Sequence, residues 1–407
     1  MIPLEVSLLE DLGELDARAA QFTGVQVDSR RIVPGDLFVA VGRGAGFTAE
    51  AVTAGAAATL VPEDAFVALA RIGAAVRDRS SARVVGITGS MGKTSTKDIL
   101  AALCAPVART VAAEASFNNE IGVPLTLCRL EPDTEVCILE LAMRGFGQIA
   151  ELCAIARPEI GVVTNVGPVH LELVDSMEGV IRAKSELVAA LAAGGTAVVP
   201  EDFPVTRGDV RVIRIEEPEV EVVDGRTAIG GVSFNFTARH QARNAAAALA
   251  ALDALGLPRA ERVDVDFSRW RGDEVELPGG GLLINDAYNA NPVSMRAALA
   301  YLAERAEGRR RVAILGTMAE LGRTAPAYHR EVGEAAAELG VDELLAVGDH
   351  ARSYLAGGVP GRWVRNVHEA VRELEEVVRP GDAVLVKGSR AVGLEAVADA
   401  LGGARAH

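Results

Sequence analysis

The sequence predicts an α/β fold in three domains: a small N-terminal α/β domain, a central P-loop parallel sheet with flanking helices, and a C-terminal Rossmann-like domain. Three observations predict it. From residue 82 onward, apolar β-branched runs alternate with Ala-rich stretches of helical length, the pattern of parallel strands covered on both faces. A Gly-rich turn, Gly86-Ile-Thr-Gly-Ser-Met-Gly-Lys-Thr-Ser95, joins a strand to a helix. Punctuation at Arg77–Ser81 and Gly279–Gly281 divides the chain into blocks 1–81, 82–279 and 280–407. A chain of 407 residues accommodates several domains of roughly 100–200 residues, each with its own core.

The first block holds short strand-like runs, Leu37–Val41 and Ala58–Val61, among Gly and Pro. Its polar end, Arg77–Ser81, reads as a linker. The second block supplies RVVGIT, KDILAALCA, EVCILEL, EIGVVTNV, MEGVIRAKSELVAALAA and TAVVP in order. A looser region, Val205–Val232, reads as antiparallel additions to that sheet. Ala242–Leu255 is a helix stopped by Gly256 and Pro258. Beyond the Gly cluster, LLIND, SMRAALAYLAERA, RVAIL, HREVGEAAAEL, ELLAVG, NVHEAVRELEEVV, AVLVKG and GLEAVADAL resume the alternation.

Composition removes several function classes. Lys and Arg total 41 against 56 Asp and Glu, a net charge of −15, and aromatics are 4%. That balance excludes a nucleic-acid binder, which needs a basic face and stacking rings. The N-terminus MIPLEVSLLEDLGELDARAA lacks a basic region before an apolar one, and Val188–Pro200 is broken by Gly194 and Gly195. No membrane insertion is expected. Cys104, Cys128, Cys137 and Cys153 show no CxxC spacing. They read as buried thiols of a reducing compartment, and the expected location is cytoplasmic.

The strand–turn–helix at Gly86–Ser95 carries the clearest chemistry. Gly89 and Gly92 let successive backbone N–H groups, with those of Ser90, Met91 and Ser95, turn toward phosphate oxygens, and the helix N-terminus adds its dipole. Lys93 then reaches the terminal phosphates and the Thr94 hydroxyl a Mg²⁺ ion. The expected ligand is a nucleoside triphosphate such as ATP. A strict motif has Gly at position 87, where Ile87 stands. Phosphoryl transfer needs a second anionic ligand at a neighbouring strand tip. Glu140 ends the apolar run EVCILEL and reads equally as that ligand or as a strand-end surface charge. Taken alone, His170 in GPVH is a loop histidine, and Lys184 in IRAKSELVAAL is a solvated helix-face residue.

Together these segments change the reading. VDSRRIVPGDLFVAV, TGSMGKTSTK, SFNNEIGVPLTL, LELAMRGFGQIAEL, NVGPVHLE, AKSEL, RHQARNAAAALAA, NDAYNANPVSMRAAL, AILGTMAELG and LVKGSR run through nearly the whole chain. In them the sequence resembles the Mur ligase family, most closely its MurF type. The resemblance implies an ADP-forming amide ligase of peptidoglycan precursor synthesis. Its substrates are ATP, UDP-N-acetylmuramoyl-tripeptide and D-alanyl-D-alanine, and it is expected to be a monomer.

The resemblance also assigns roles. Gly89–Ser95 hold the ATP phosphates, and Thr94, Glu140 and His170 serve a pair of Mg²⁺ ions. Lys184 matches the lysine that the family carbamylates with CO₂. A carbamate gives anionic oxygens to a hard cation, where an ammonium would repel it. Its formation needs a neutral amine, against a reference pKa of about 10.4. His240, Asn244 and Asn289 match segments near the adenine and ribose. Ser29 and Arg30 match the UDP-sugar segment, Asn118 and Asn119 face the nucleotide-linked peptide, and Lys387 and Arg390 approach substrate or phosphates.

Two departures stand out. Gly46-Phe47-Thr48 replaces a DGH-like element, and Thr317 stands where an Asp is common. The alternatives are another ligase of the superfamily with a different acid or amine, and an inactive nucleotide-binding paralogue. The joint presence of Lys93, Thr94, Glu140, His170 and Lys184 speaks against the second.

Overall fold

A computed structural model of the chain describes residues 1–402 apart from 115, 269–271 and 278, and of His240 only the backbone. The chain divides into two compact units. The first comprises Met1–Thr164, Arg182–Thr237 and Ala242–Asp266; the second comprises Asn165–Ile181, Ala238–Gln241 and Phe267 onward.

In the first unit the N-terminal residues form a four-stranded sheet in the order Gly13–Ala17, Ala58–Pro62, Asp36–Val39, Gly24–Gln26. The helix Ala65–Asp78 follows, started by Asp64, whose carboxylate accepts the N–H groups of Phe66 and Val67. It buries Ala68, Leu69, Ile72, Gly73 and Val76, the three-and-four spacing of one helical face. This helix absorbs Arg77 and Asp78, so the expected linker shrinks to the residues after it.

The central sheet has six strands, all parallel, in the order Arg211–Ile215, Thr196–Pro200, Ile160–Val163, Arg83–Thr88, Val136–Glu140, Thr110–Ala112. Val136–Glu140 and Ile160–Val163 are buried at every residue, as strands covered on both faces must be. Register pairs Ile87 with Glu140 and Thr88 with Val163. The turn after Thr88 and the carboxylate of Glu140 therefore lie at the same end of neighbouring strands.

The region after Pro200 differs from expectation. Arg211–Ile215 extends the central sheet in parallel, and only Glu221–Val223, Arg226–Ile229 and Val232–Phe234 run antiparallel, in a separate sheet completed by Arg262–Val263. Arg211–Ile215 is an edge strand buried only at Ile215. Such a pattern carries no periodicity from which pairing direction could be read.

The second unit contains a six-stranded sheet in the order Asp273–Leu277, Gly281–Asp286, Ala383–Lys387, Arg311–Gly316, Glu343–Val347, Gly361–Val364. The first pair is antiparallel and the rest parallel. Alternate residues feed two cores: Leu282, Ile284, Leu315 and Leu385 on one face, Leu283, Ile314, Val384 and Val386 on the other. Gly279 and Gly280 turn between the first two strands of this sheet and Gly281 opens the second, so the cluster is internal to the sheet, which begins at Asp273. The opening strand alternates exposed and part-buried positions, which hid it among loop residues.

Candidate active site

The phosphate loop owes its shape to two glycines. Gly89 has φ +153° and Gly92 φ +79°, values that side-chain-bearing residues rarely adopt. Gly92 caps the helix Lys93–Cys104. A Cβ on Gly92 would stand 2.2 Å from Asn244 Oδ1, so the turn has room only for a hydrogen there. The Lys93 ammonium donates to the Gly89 carbonyl at 2.9 Å. On the other side of the loop, the Thr164 hydroxyl donates to the Met91 carbonyl at 2.5 Å.

Glu140 ends its strand 1% exposed. Its Oε2 accepts from the Thr94 hydroxyl and its Oε1 from the Asn118 amide, each at 2.8 Å. Of the two readings of Glu140 from sequence, the surface charge is the one that fails. A buried carboxylate held only by neutral donors remains a costly group and fits a cation. Among the described residues no three His, Cys, Asp or Glu side chains gather as a metal cage. A Mg²⁺ ion needs none, since one or two carboxylates with substrate phosphates hold it.

Lys184, read alone, belonged on a solvated face; the structure buries it to 2% exposure. Burial, and secondarily the charge of Lys93, push its pKa well below the ordinary 10.5. The helix Met177–Ala190 thus presents a lysine poised to be neutral.

Asn119 is exposed and accepts the N–H groups of Ile121 and Gly122, capping the turn into the short helix Gly122–Leu127. Asn118 alone of the pair reaches Glu140. Ser29 is buried, whereas Arg30 is exposed and clamped to Asp28, whose carboxyl it holds down to about 2.

The remaining predicted residues lie in the second unit. His170 sits at φ +53° and pairs through Nδ1 with Glu320, itself at φ +61°. Asn289 is exposed and accepts the N–H of Ala290. Lys387 is buried, donating to Asp286 at 2.6 Å and to the Asn289 carbonyl at 2.9 Å. Its ammonium holds the YNANP turn, a use that the sequence did not disclose. Arg390 pairs with Glu395 at 3.0 Å. The His240 side chain lies outside the described residues. Sequence reasoning gave no role to Thr164, Asp286 or Glu320. Asp286 had the signal that betrayed Glu140, a carboxylate closing an apolar strand.

Residues 87–252 match the Mur ligase middle domain, and residues 270–390 the Mur ligase glutamate ligase domain. The UDP-N-acetylmuramoyl-tripeptide–D-alanyl-D-alanine ligase of Synechocystis is 35% identical over 94% of this chain and 92% of its own length. The chain belongs to the Mur ligase family. MurF from Acinetobacter baumannii superposes with a TM-score of 0.85 at 27% identity, covering 98% of this chain and 99% of that one. MurF from Thermotoga maritima in complex with ADP gives 0.78 at 26% identity, covering 94% and 97%. Thus the three-domain α/β organisation expected from sequence is that of MurF ligases. As in any Mur ligase, the fold alone leaves the acid and the amine to be argued from the site.

Proposed function

We propose that this Mur ligase is an ATP-dependent, ADP-forming amide ligase joining D-alanyl-D-alanine to UDP-N-acetylmuramoyl-tripeptide. The observation that carries the reaction class is the Thr94–Glu140–Asn118 array, buried at Thr94 and Glu140, beside a phosphate loop that tolerates no side chain at Gly92. The name of the Synechocystis relative supports the substrates.

The tripeptide's terminal carboxylate attacks the γ-phosphorus of ATP, and the β–γ bridging oxygen leaves with ADP. The dipeptide amine then attacks the acyl carbon, loses a proton, and inorganic phosphate departs. Carboxylate and triphosphate repel each other, so the first step needs positive charge where they meet. Lys93 and the loop N–H groups supply it from a fixed frame, without reorganising at the moment of reaction. Thr94 and Glu140 would hold Mg²⁺, which neutralises developing charge on the phosphoryl oxygens. A second ion is part of the proposal, with His170 as its protein ligand. The neutral Lys184 amine would add CO₂ and release a proton, leaving an anionic carbamate at the metal site.

No helix among the described residues is long and apolar enough to cross a membrane, and the four cysteines are buried free thiols. Both support the proposed cytoplasmic site of action. The deciding experiment measures ADP release by the purified chain with each substrate alone and with both. Joint dependence on UDP-N-acetylmuramoyl-tripeptide and D-alanyl-D-alanine is expected; indifference to either overturns the assignment.

A further inference from the structure

His170 follows a strand of the central sheet in sequence, yet it is fastened to the C-terminal unit. Its Nδ1 meets the carboxylate of Glu320. Next to it, Leu171 packs against the apolar cluster that contains Met318 and Leu321, and the Glu172 N–H donates to the Glu320 carbonyl at 3.3 Å. The loop bearing Glu320 is itself pinned at the two residues before it. The Met318 N–H donates to His329 Nε2, and the Ala319 N–H to Ser389 Oγ, each at 2.9 Å. His170 and Glu320 also share left-handed backbone, a conformation that costs an L-residue roughly 1–2 kcal/mol and persists where surroundings impose it.

We infer that Glu320 is a positioning residue that sets the tautomer and orientation of His170. A carboxylate only accepts, so the imidazole proton must sit on Nδ1, and Nε2 becomes the nitrogen with the lone pair. Which imidazole nitrogen can bind a cation is decided by the bond that the other one makes. Glu320 thereby dictates which nitrogen of His170 keeps its lone pair. The inference rests on the ligase reading for its catalytic consequence, but not for its structural content.

Long-range ¹H–¹⁵N spectra of the ¹⁵N-histidine-labelled full chain test it, with His170 assigned by the signal lost in His170→Asn. The wild type is expected to carry the His170 proton on Nδ1. Glu320→Ala is expected to move it to Nε2, with turnover lowered roughly 10–100-fold, the usual effect of removing such a partner. Glu320→Gln, whose side-chain oxygen still accepts, is expected to keep the wild-type tautomer and lose only a few-fold. A wild-type proton on Nε2 overturns the inference, as does a Glu320→Ala spectrum identical to wild type. Because the tautomer is read without substrates, failure of the ligase assay and failure of this inference are separate results.

Discussion

The Thr94 hydroxyl donates to Glu140 Oε2 at 2.8 Å, and both side chains are buried, 2% and 1% exposed. The first turn of the helix Lys93–Cys104 is thereby tied to the end of the strand Val136–Glu140, beside the phosphate loop. Both hydrogen bonds to this carboxylate, from Thr94 and Asn118, come from neutral donors, which stabilise its charge less than an opposite charge would. A carboxylate buried in this way costs stability and suits a cation.

Glu140→Gln separates the two roles. Glutamine keeps one oxygen for Asn118, and the Thr94 hydroxyl can turn to accept from the new amide, since a hydroxyl both donates and accepts. Turnover is expected to fall roughly 100-fold or more, at least the scale seen when a partner of a metal site is removed. The melting temperature in chelator without nucleotide should stay level or rise, because a buried charge has gone. Wild-type turnover by Glu140→Gln would place the metal elsewhere.

Lys184 gives a pH signature. Its pKa in the folded chain lies well below 10.5 because burial disfavours the ammonium, with the Lys93 charge adding to it. Below 10.5 the unfolded chain therefore binds a proton that the folded one resists, and stability rises with pH across the window beneath that value. Lys184→Met should flatten this slope and raise stability at neutral pH in CO₂-free buffer, as followed by urea denaturation. It should also abolish bicarbonate-supported turnover, and Lys184→Arg should not restore it. Substantial turnover by Lys184→Met would remove the proposed carbamate.

How much of this was legible in sequence follows from what each signal measures. Runs such as Ile160–Val163 and Val136–Glu140 are buried throughout, so the apolar pattern gave strands and layers directly. Edge strands did not declare themselves: Arg211–Ile215 and Asp273–Leu277 expose much of their length and look like loop. The phosphate loop was legible because glycine spacing reports backbone shape. Lys184 and Lys387 were opaque for the opposite reason. A lysine's burial is decided by the elements that fold over it, and Lys387's partners, Asp286 and Asn289, lie about a hundred positions earlier.

Gly92 and Asn244 form a second checkable pair. Gly92→Ala must hold alanine at φ +79°, costing roughly 1–2 kcal/mol, and must displace Asn244 Oδ1 from 2.2 Å. ATP affinity is expected to fall at least about tenfold, since the strain is relieved by deforming the loop that holds the phosphates. Adding Asn244→Ala removes the collision but not the backbone strain, so it should recover part of the loss. Titration with a fluorescent ATP analogue reads both. Full affinity in Gly92→Ala would show that the loop does not hold the nucleotide.

His329 supplies an acid-side prediction of opposite origin. It is fully buried, and burial, the largest effect, lowers its pKa from 6.5 to about 4. Neutral Nε2 accepts the Met318 N–H at 2.9 Å, an acceptor role that protonation abolishes. Between about 6.5 and 4 the unfolded chain takes up the proton first, so this residue's contribution is complete above 6.5 and is lost as pH falls. The shift corresponds to about 3 kcal/mol across the window. His329→Leu should be less stable than wild type at pH 7.5 by about 1–3 kcal/mol, the cost of leaving a buried N–H unpaired. The gap should narrow as the pH approaches 4, because the wild type then loses what the variant never had. Urea titrations followed by tryptophan fluorescence, to which only positions 270 and 363 contribute, measure it. A gap that widens toward acid would mean that His329 is charged in the native chain and that Met318 finds its acceptor elsewhere.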